Sequence, residues 1–449
     1  MAAVPGYHDG LNEKLRAAVW SDAGSVLELG CANGRLGAAC KQASPGMRWT
    51  GVDASEAALS EAAGRLDRVI SMDLDQPDRG ALGDGYDLVV FGDLIEHLRD
   101  PAACLQLAHE ISVPQARLVC CIPNMVHASV IERMLAGDLS YDSAGLLDAT
   151  HLRFLSQGSA FKLLLDAGWL PNVRDRYAAG HGNEPFLRHL LAAARELGIP
   201  EQTALGHLLS YQLIIDCIKS PPAPAPAPAG ASARFAVVVP VTHRQQFELN
   251  VRRSPGLAEV NAEIIPVEGA RNPAEAFEAG RRRVGAPWIV FCHQDVYFPR
   301  GTGHQLAALF AAVPAQEAAR TLIGFAGIGE LAPGTIGHSG LVIDRAARFD
   351  HPGSGAAVSI DELAVALSAD TVHAIDPAIG WHLWATDLCL AAILGRRGTA
   401  RIARVPLFHN SYNDGRLPAA FHAAAQVLRS KYPQAVAIPT LCGVIGQGK

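Results

Sequence analysis

The chain has 449 residues, 49% of them hydrophobic and 18% charged, which allows two or three domains with apolar cores. A net charge of −6 argues against a broad basic surface, and so against nucleic acid as a partner. There is no run of about 18 apolar residues to make a spanning helix, and the nine cysteines are scattered without a CxxC pair, the usage of a reducing compartment.

The opening MAAVPGYHDG joins no basic stretch to an apolar one, so no signal peptide is expected and the location is expected to be cytoplasmic. Residues 25–37 read Ser-Val-Leu-Glu-Leu-Gly-Cys-Ala-Asn-Gly-Arg-Leu-Gly, predicting a strand from Val26 to Leu29, a glycine turn and a helix. Gly30 and Gly34 let the backbone turn sharply and approach a ligand. The next predicted strand, Trp49 to Val52, ends at Asp53, 19 residues beyond Gly34. In doubly wound sheets an acid at this place hydrogen-bonds ribose hydroxyls. The spacing Glu28-x-Gly30-x-x-x-Gly34 departs from the phosphate-binding GxGxxG. Glu28 adds negative charge where a pyrophosphate would sit, which suits a ligand carrying a sulfonium or amino group. Further on, Tyr86 to Phe91 predicts a buried strand, Arg117 to Ile122 another, Gln157 to Ala167 a helix, and Tyr211 to Ile218 a last, antiparallel strand. From about Asn183 to Leu209 the pattern is helical, with Phe186, Leu187, Leu190 and Leu191 on one face. Core packing is the first reading of that segment, and a lid over an acceptor pocket is the second.

Over roughly residues 10–219 these motifs resemble the class I S-adenosylmethionine (SAM)-dependent methyltransferases; a generic Rossmann-like nucleotide fold is the other reading. The resemblance implies SAM as cofactor, bound by Glu28, Gly30, Cys31, Gly34, Asp53, Ala54, Asp73, Leu74 and Asp93. Ser71-Met72-Asp73-Leu74 stands where that family contacts adenine. Gly92-Asp93-Leu94-Ile95-Glu96-His97-Leu98 carries the acid–histidine pair that lines the donor pocket. The segment Asp148-Ala149-Thr150-His151-Leu152-Arg153-Phe154 is similar to methyltransferases of sugar and polysaccharide pathways. The catalytic base for a sugar hydroxyl is then His151 or His97, because histidine titrates near working pH; for each, a hydrogen-bonded pocket wall is the alternative. Most of the rate would come from holding donor and acceptor in line.

Pro221-Pro222-Ala223-Pro224-Ala225-Pro226-Ala227-Pro228-Ala229-Gly230 can enter neither helix nor sheet interior. It predicts extended polyproline II, able to hold two bodies up to about 30 Å apart. The expected domains are therefore residues 1–219, a linker at 220–233, and residues 234–449.

After the linker, Phe235 to Val241 predicts a strand interrupted by Pro240, and Ile264 to Val267 a second. Glu268-Gly269-Ala270-Arg271-Asn272 then leads into a helix from Pro273 to Arg283. Trp288-Ile289-Val290-Phe291-Cys292-His293-Gln294-Asp295-Val296-Tyr297 predicts a buried strand that delivers His293 and Asp295, two residues apart and so on one face. A divalent ion held there would bridge a nucleotide diphosphate. The arrangement resembles the DxD motif of family 2-like nucleotide-sugar glycosyltransferases, in a subgroup that reads His-Gln-Asp-Val-Tyr. That resemblance covers about residues 234–435. It implies a second α/β, GT-A-like domain, with a nucleotide-sugar site at Pro240, Asn272, His293, Asp295 and Asp361. It also implies a divalent metal, Mn or Mg, at His293, Asp295 and His409. The base would be Asp387, in the segment Trp384-Ala385-Thr386-Asp387, with Asp361 or Glu362 as substitutes.

The fold class is thus α/β twice over. The pairing implies a bifunctional transferase that methylates and glycosylates a cell-surface polysaccharide or related glycan. The partners would be a glycan or lipid-linked saccharide acceptor and a nucleotide-sugar donor, with peripheral membrane contact but no transmembrane segment. The alternatives are a methyltransferase carrying a non-catalytic glycan- or nucleotide-binding domain, and a scaffold whose two sites only bind.

Overall fold

Seven segments of the first 219 residues form the strands of one sheet. The computed structural model describes residues 10–221, 234–351, 355–412 and 416–446. Most of the Pro/Ala-rich linker, from residue 222 to 233, lies outside the described residues, as do the first nine. The chain divides into two units, with the boundary between residues 221 and 222.

In the N-terminal unit the strands are β1 (Ser25–Leu29), β2 (Arg48–Asp53), β3 (Arg68–Ser71), β4 (Tyr86–Phe91), β5 (Ser112–Pro123), β6 (Trp169–Ala178) and β7 (Ser210–Lys219), in the order β3-β2-β1-β4-β5-β7-β6. β1 runs parallel to both β2 and β4, while β7 is antiparallel to β5 and β6. This is the Rossmann-like class I arrangement with an antiparallel edge that the resemblance implied. β6 was not predicted; its outer half alternates with charges and its apolar part is only Trp169 to Pro171. Val26, Leu27, Leu88, Val89 and Val90 are fully buried, as parallel strands covered on both faces require. The chain leaves β1 toward β2 and β3, then returns to β4 on the other side. That reversal opens a crevice at the carboxyl ends of β1 and β4, where ligands of such sheets bind. The segment 183–209 forms helices Glu184–Glu196 and Glu201–Leu208, whose Leu187, Leu191, Ala204 and Leu208 make a small core of their own with Ala128.

The second unit is a mixed α/β body with two six-stranded sheets and a hairpin. Its first strands are β8 (Phe235–Val241), β9 (Glu263–Glu268), β10 (Trp288–Cys292), β11 (Val296–Tyr297), β12 (Thr321–Gly324), β13 (Ala326–Ala332) and β14 (Thr335–Asp344). They are followed by β15 (Arg348–His351), β16 (Ala357–Ile360), β17 (Ala364–Ser368), β18 (Thr399–Ile402) and β19 (Leu407–His409). One sheet has the order β18-β12-β17-β10-β8-β9; the other runs β11-β19-β14-β13-β16, with β15 on β14. β8 is parallel to β9 and to β10, so this unit too has a reversal, between β8 and β10. Among the described residues no helix is long and apolar enough to cross a membrane.

Candidate functional site

In the N-terminal unit the loops after β1, β2 and β4 enclose a cavity of about 720 Å³. Gly30, at φ 76°, turns the chain out of β1, and the N–H groups of Gly30 and Cys31 both donate to the Val52 carbonyl, at 2.8 and 3.0 Å. Asp53 holds the same loop from below: its two carboxylate oxygens accept from the Ala32 N–H (2.8 Å) and the Ser55 N–H (2.9 Å). Each oxygen keeps a second lone pair for a ligand hydroxyl.

Glu28 is buried and accepts from the Trp49 indole N–H at 2.7 Å. Burial pushes its carboxyl up to about 8 despite that hydrogen bond, and the charge of Asp53 adds to the rise. The fixed negative charge expected from the sequence is therefore conditional. Burial favours the neutral carboxyl of Glu28, and an arriving positive charge would favour its ionised form.

Of the nine residues expected to bind the donor, Glu28, Gly30, Cys31, Asp53 and Asp93 line the cavity, and Gly34, Ala54, Asp73 and Leu74 do not. Gly34 begins the helix Arg35–Ala43 at φ 76°, and a Cβ there would press on Ala62 and Leu66 at 3.0–3.2 Å. Its glycine serves the turn and the packing of two helices rather than close approach to a ligand. Ala54 is exposed, Leu74 is buried, and Asp73 accepts from the Asp75 N–H.

Opposite these residues the cavity is lined by Glu96, His97 and His151. The two rings lie edge to face, 4.9 Å apart. Nδ1 of His97 donates to the Thr150 carbonyl (3.2 Å) and Nδ1 of His151 to the Leu146 carbonyl (3.1 Å). The loop is held by Leu152 and Arg153, whose N–H groups donate to the Glu96 carbonyl at 2.8 and 3.0 Å. Burial, then the charges of Asp93 and Asp148, push the Glu96 carboxyl well above the usual range. Burial and the neighbouring His151 hold His97 below its ordinary value. Both candidate bases thus face one cavity with the donor-side acids. Sequence reasoning did not single out Asp148, which fixes the loop by accepting from Thr150 N–H (2.8 Å) and Oγ1 (2.6 Å).

In the second unit β10 stops at Cys292, and residues 293–296 form a turn, with the Val296 N–H donating to the His293 carbonyl. His293 and Asp295 converge through this turn and not through the two-residue period of a strand. The intervening Gln294 points back to β8, its Oε1 accepting from the N–H groups of Thr242 (2.9 Å) and His243 (2.8 Å), which ties the two carboxyl ends together. β19 pairs His409 with Val296 on one side and Asp344 on the other. One ligand atom each from His293, Asp295 and His409 lies within 4.8 Å of the others. His409 stands between Asp344 (3.1 Å) and Asp295 (3.5 Å). These carboxylates outweigh burial and hold the imidazole well above its ordinary value; His409 in turn holds Asp295 down to about 2. Asp295 Oδ1 is buried with no hydrogen-bond partner among the described residues. Two imidazoles and a buried carboxylate, its Oδ1 facing His409 without a hydrogen bond, fit a divalent cation. Asp344 is a partner the sequence did not reveal.

The remaining expected residues scatter. Asn272 caps the helix Pro273–Arg281 by accepting from the Glu275 N–H at 2.9 Å, and Pro240 sits inside β8, opposite Val267 of β9. Burial and the neighbouring Glu362 push Asp361 up to about 7. Glu362 receives the Leu383 N–H (3.3 Å) and faces His382 (3.7 Å); His382 and His293 outweigh burial and hold it below the usual range. Asp387, the expected base, is 2% exposed, and both its oxygens are taken, by Lys431 Nζ at 2.7 Å and Tyr432 OH at 2.9 Å. That geometry pins the helix Trp384–Leu394 to the helix Ala419–Lys431 and leaves no access for a hydroxyl. Glu362 interacts with His293 by charge.

A family model described as a methyltransferase domain matches residues 9–170. Curated proteins include no match to the chain. Among solved structures it is similar to a SAM-dependent methyltransferase from Archaeoglobus fulgidus (16% identity, 48% of this chain and 97% of that one, TM-score 0.34). Another is an S-adenosylmethionine-dependent methyltransferase from Mesorhizobium loti (18% identity, 47% and 100%, TM-score 0.31). A third is the plantazolicin methyltransferase BpumL in complex with SAH (17% identity, 44% and 76%, TM-score 0.30).

Proposed function

We propose that the N-terminal unit transfers a methyl group from SAM to a hydroxyl of a glycan or lipid-linked saccharide. The observation that carries this reading is one cavity bounded on one side by Glu28 and Asp53 and on the other by His97 and His151. SAM supplies an electrophilic methyl on a sulfonium centre. Glu28 favours the positive end of that ligand once ionised, and Asp53 accepts from ribose hydroxyls while bracing the first loop. His97 and His151 keep Nδ1 on backbone carbonyls, so Nε2 is the nitrogen open to an acceptor hydroxyl proton. Methylation of a glycan panel with labelled SAM tests the reading. It predicts transfer to at least one saccharide hydroxyl, and a rate at saturating SAM that falls about 100-fold or more when both histidines become alanine.

For the second unit we propose nucleotide-sugar-dependent glycosyl transfer on the same class of acceptor. His293, Asp295 and His409 would hold a divalent metal that neutralises charge on the departing nucleotide diphosphate. Glu362, and not Asp387, would then face the acceptor hydroxyl. A non-catalytic nucleotide- or glycan-binding domain is the second reading, favoured by the engagement of both Asp387 oxygens. Calorimetry of the full chain with UDP and GDP, with and without Mn²⁺, separates the two. Metal-dependent nucleotide binding lost in Asp295→Ala supports transfer; glycan binding without nucleotide supports the binding domain. Joining the two units would raise the local concentration of one product near the other site.

A further inference from the structure

The methyl-transfer cavity contains a metal-ligand set of its own. One ring nitrogen of His97, one of His151 and one carboxylate oxygen of Glu96 lie within 4.8 Å of one another. The Thr150 and Leu146 carbonyls that face the two Nδ1 atoms can only accept, so each Nδ1 carries the hydrogen and each Nε2 a lone pair. Metal-bound histidines are oriented in this way, by donating the other ring N–H to a carbonyl or carboxylate. The outer partner is itself braced: Asp148 holds the Thr150 N–H and hydroxyl.

Glu96 supplies an independent observation. It is 1% exposed, yet its Oε2 is buried with no hydrogen-bond partner among the described residues. A buried carboxylate oxygen left unpaired is destabilising unless something supplies the missing contact. The side chain lines the same cavity as both rings.

We propose that Glu96, His97 and His151 bind a divalent first-row cation, and that this cation chelates an acceptor bearing two adjacent oxygens, one of them the hydroxyl that is methylated. Two imidazoles with one carboxylate suit Mn²⁺, Fe²⁺ or Zn²⁺ better than Ca²⁺ or Mg²⁺, which prefer all-oxygen shells. Three protein ligands leave positions open for a vicinal diol or a hydroxyl beside a carboxylate. The cation makes the bound hydroxyl more acidic, and its proton leaves to water. The O–CH₃ bond forms as the S–CH₃ bond breaks, and the neutral thioether departs. In this form the two histidines hold the cation and do not take the proton. The inference rests on the methyl-transfer reading for its acceptor chemistry, while the cation site can be tested separately.

The full chain, stripped of metal, is titrated with Mn²⁺ and free Mn²⁺ is read by electron paramagnetic resonance. Asp295→Asn serves as the background, to silence the second unit's cluster. The expected result is one Mn²⁺ per chain in this background, weakened roughly 100-fold by Glu96→Gln or His151→Gln. Binding of SAH without metal should stay within about twofold in His151→Gln, reporting an intact donor pocket. Spin-echo spectra of the bound Mn²⁺ in the Asp295→Asn background should show nitrogen couplings from imidazole, a readout that needs no further substitution. Mn²⁺ binding unchanged by both substitutions, or bound Mn²⁺ without nitrogen coupling, overturns the proposal. So does an SAH-binding protein that takes up no Mn²⁺. Mn²⁺ bound as expected by a protein that never binds SAH or SAM would keep the cation site and remove the methyl-transfer reading instead.

Discussion

Each unit gathers two imidazoles and one carboxylate next to a sheet reversal, yet the two clusters are prepared differently. In the first, His97 and His151 are tied to backbone carbonyls, and Glu96 has an unpaired oxygen. In the second, His409 is held between Asp295 and Asp344, whose charges hold its imidazole well above the ordinary value against burial. A cation entering the first cluster meets two open lone pairs; one entering the second must compete with Asp295 and Asp344 for the His409 ring. Equal inventories of ligand atoms thus differ in readiness because of what their other atoms touch. The same contrast separates Asp53, whose oxygens face a cavity, from Asp387, whose oxygens are consumed in packing.

The contrast between those two aspartates is the first to break. Asp53→Ala removes a ligand-facing carboxylate and the brace on Ala32, and should weaken SAH binding about 100-fold by calorimetry, at roughly 1.5–3 kcal/mol for each charged hydrogen bond lost. Asp387→Ala should instead lower stability by about 2–4 kcal/mol in urea unfolding, because Lys431 and Tyr432 lose their shared acceptor. A folded Asp387→Asn protein that binds nucleotide normally but transfers no sugar would return the base role to Asp387.

A smaller effect comes from Glu28. Its folded value of about 8 lies above the ordinary 4.5, so the folded state binds more protons between these values. Stability therefore falls as pH rises from about 4.5 to 8, by up to a few kcal/mol. Glu28→Gln keeps an acceptor for Trp49 and should flatten that slope in pH-dependent unfolding. In the unsubstituted protein SAM binding should strengthen with pH up to about 8, since the positive ligand selects the ionised carboxyl; in Glu28→Gln that dependence should vanish. Least of all, Asn272→Ala should cost about 1 kcal/mol as a lost helix cap and leave nucleotide binding unchanged. A large loss of nucleotide affinity there would restore Asn272 to the site.

Much of this molecule is written in local patterns. Apolar runs such as Val26 to Leu29 and Tyr86 to Phe91, followed at once by glycines, specify buried strands and sharp turns, because burial and the missing Cβ act within a few residues. An acid after the second strand and a histidine after the fourth could likewise be placed at one end of a sheet. Which oxygens remain open could not, since that depends on partners far along the chain: Trp49 for Glu28, Thr150 and Leu146 for the two histidines, Lys431 and Tyr432 for Asp387. Gly34 and Asn272 show the reverse error, where residue types suited to ligands were spent on helix starts. Local pattern was enough for the central buried strands and for several residues brought to their carboxyl ends, and not for the edge strand β6 or the strand order. The raised pKa of Glu28, the pairing of His409 with Asp344 and the burial of Asp387 came from tertiary packing, because desolvation and long-range hydrogen bonds exist only once distant segments have met.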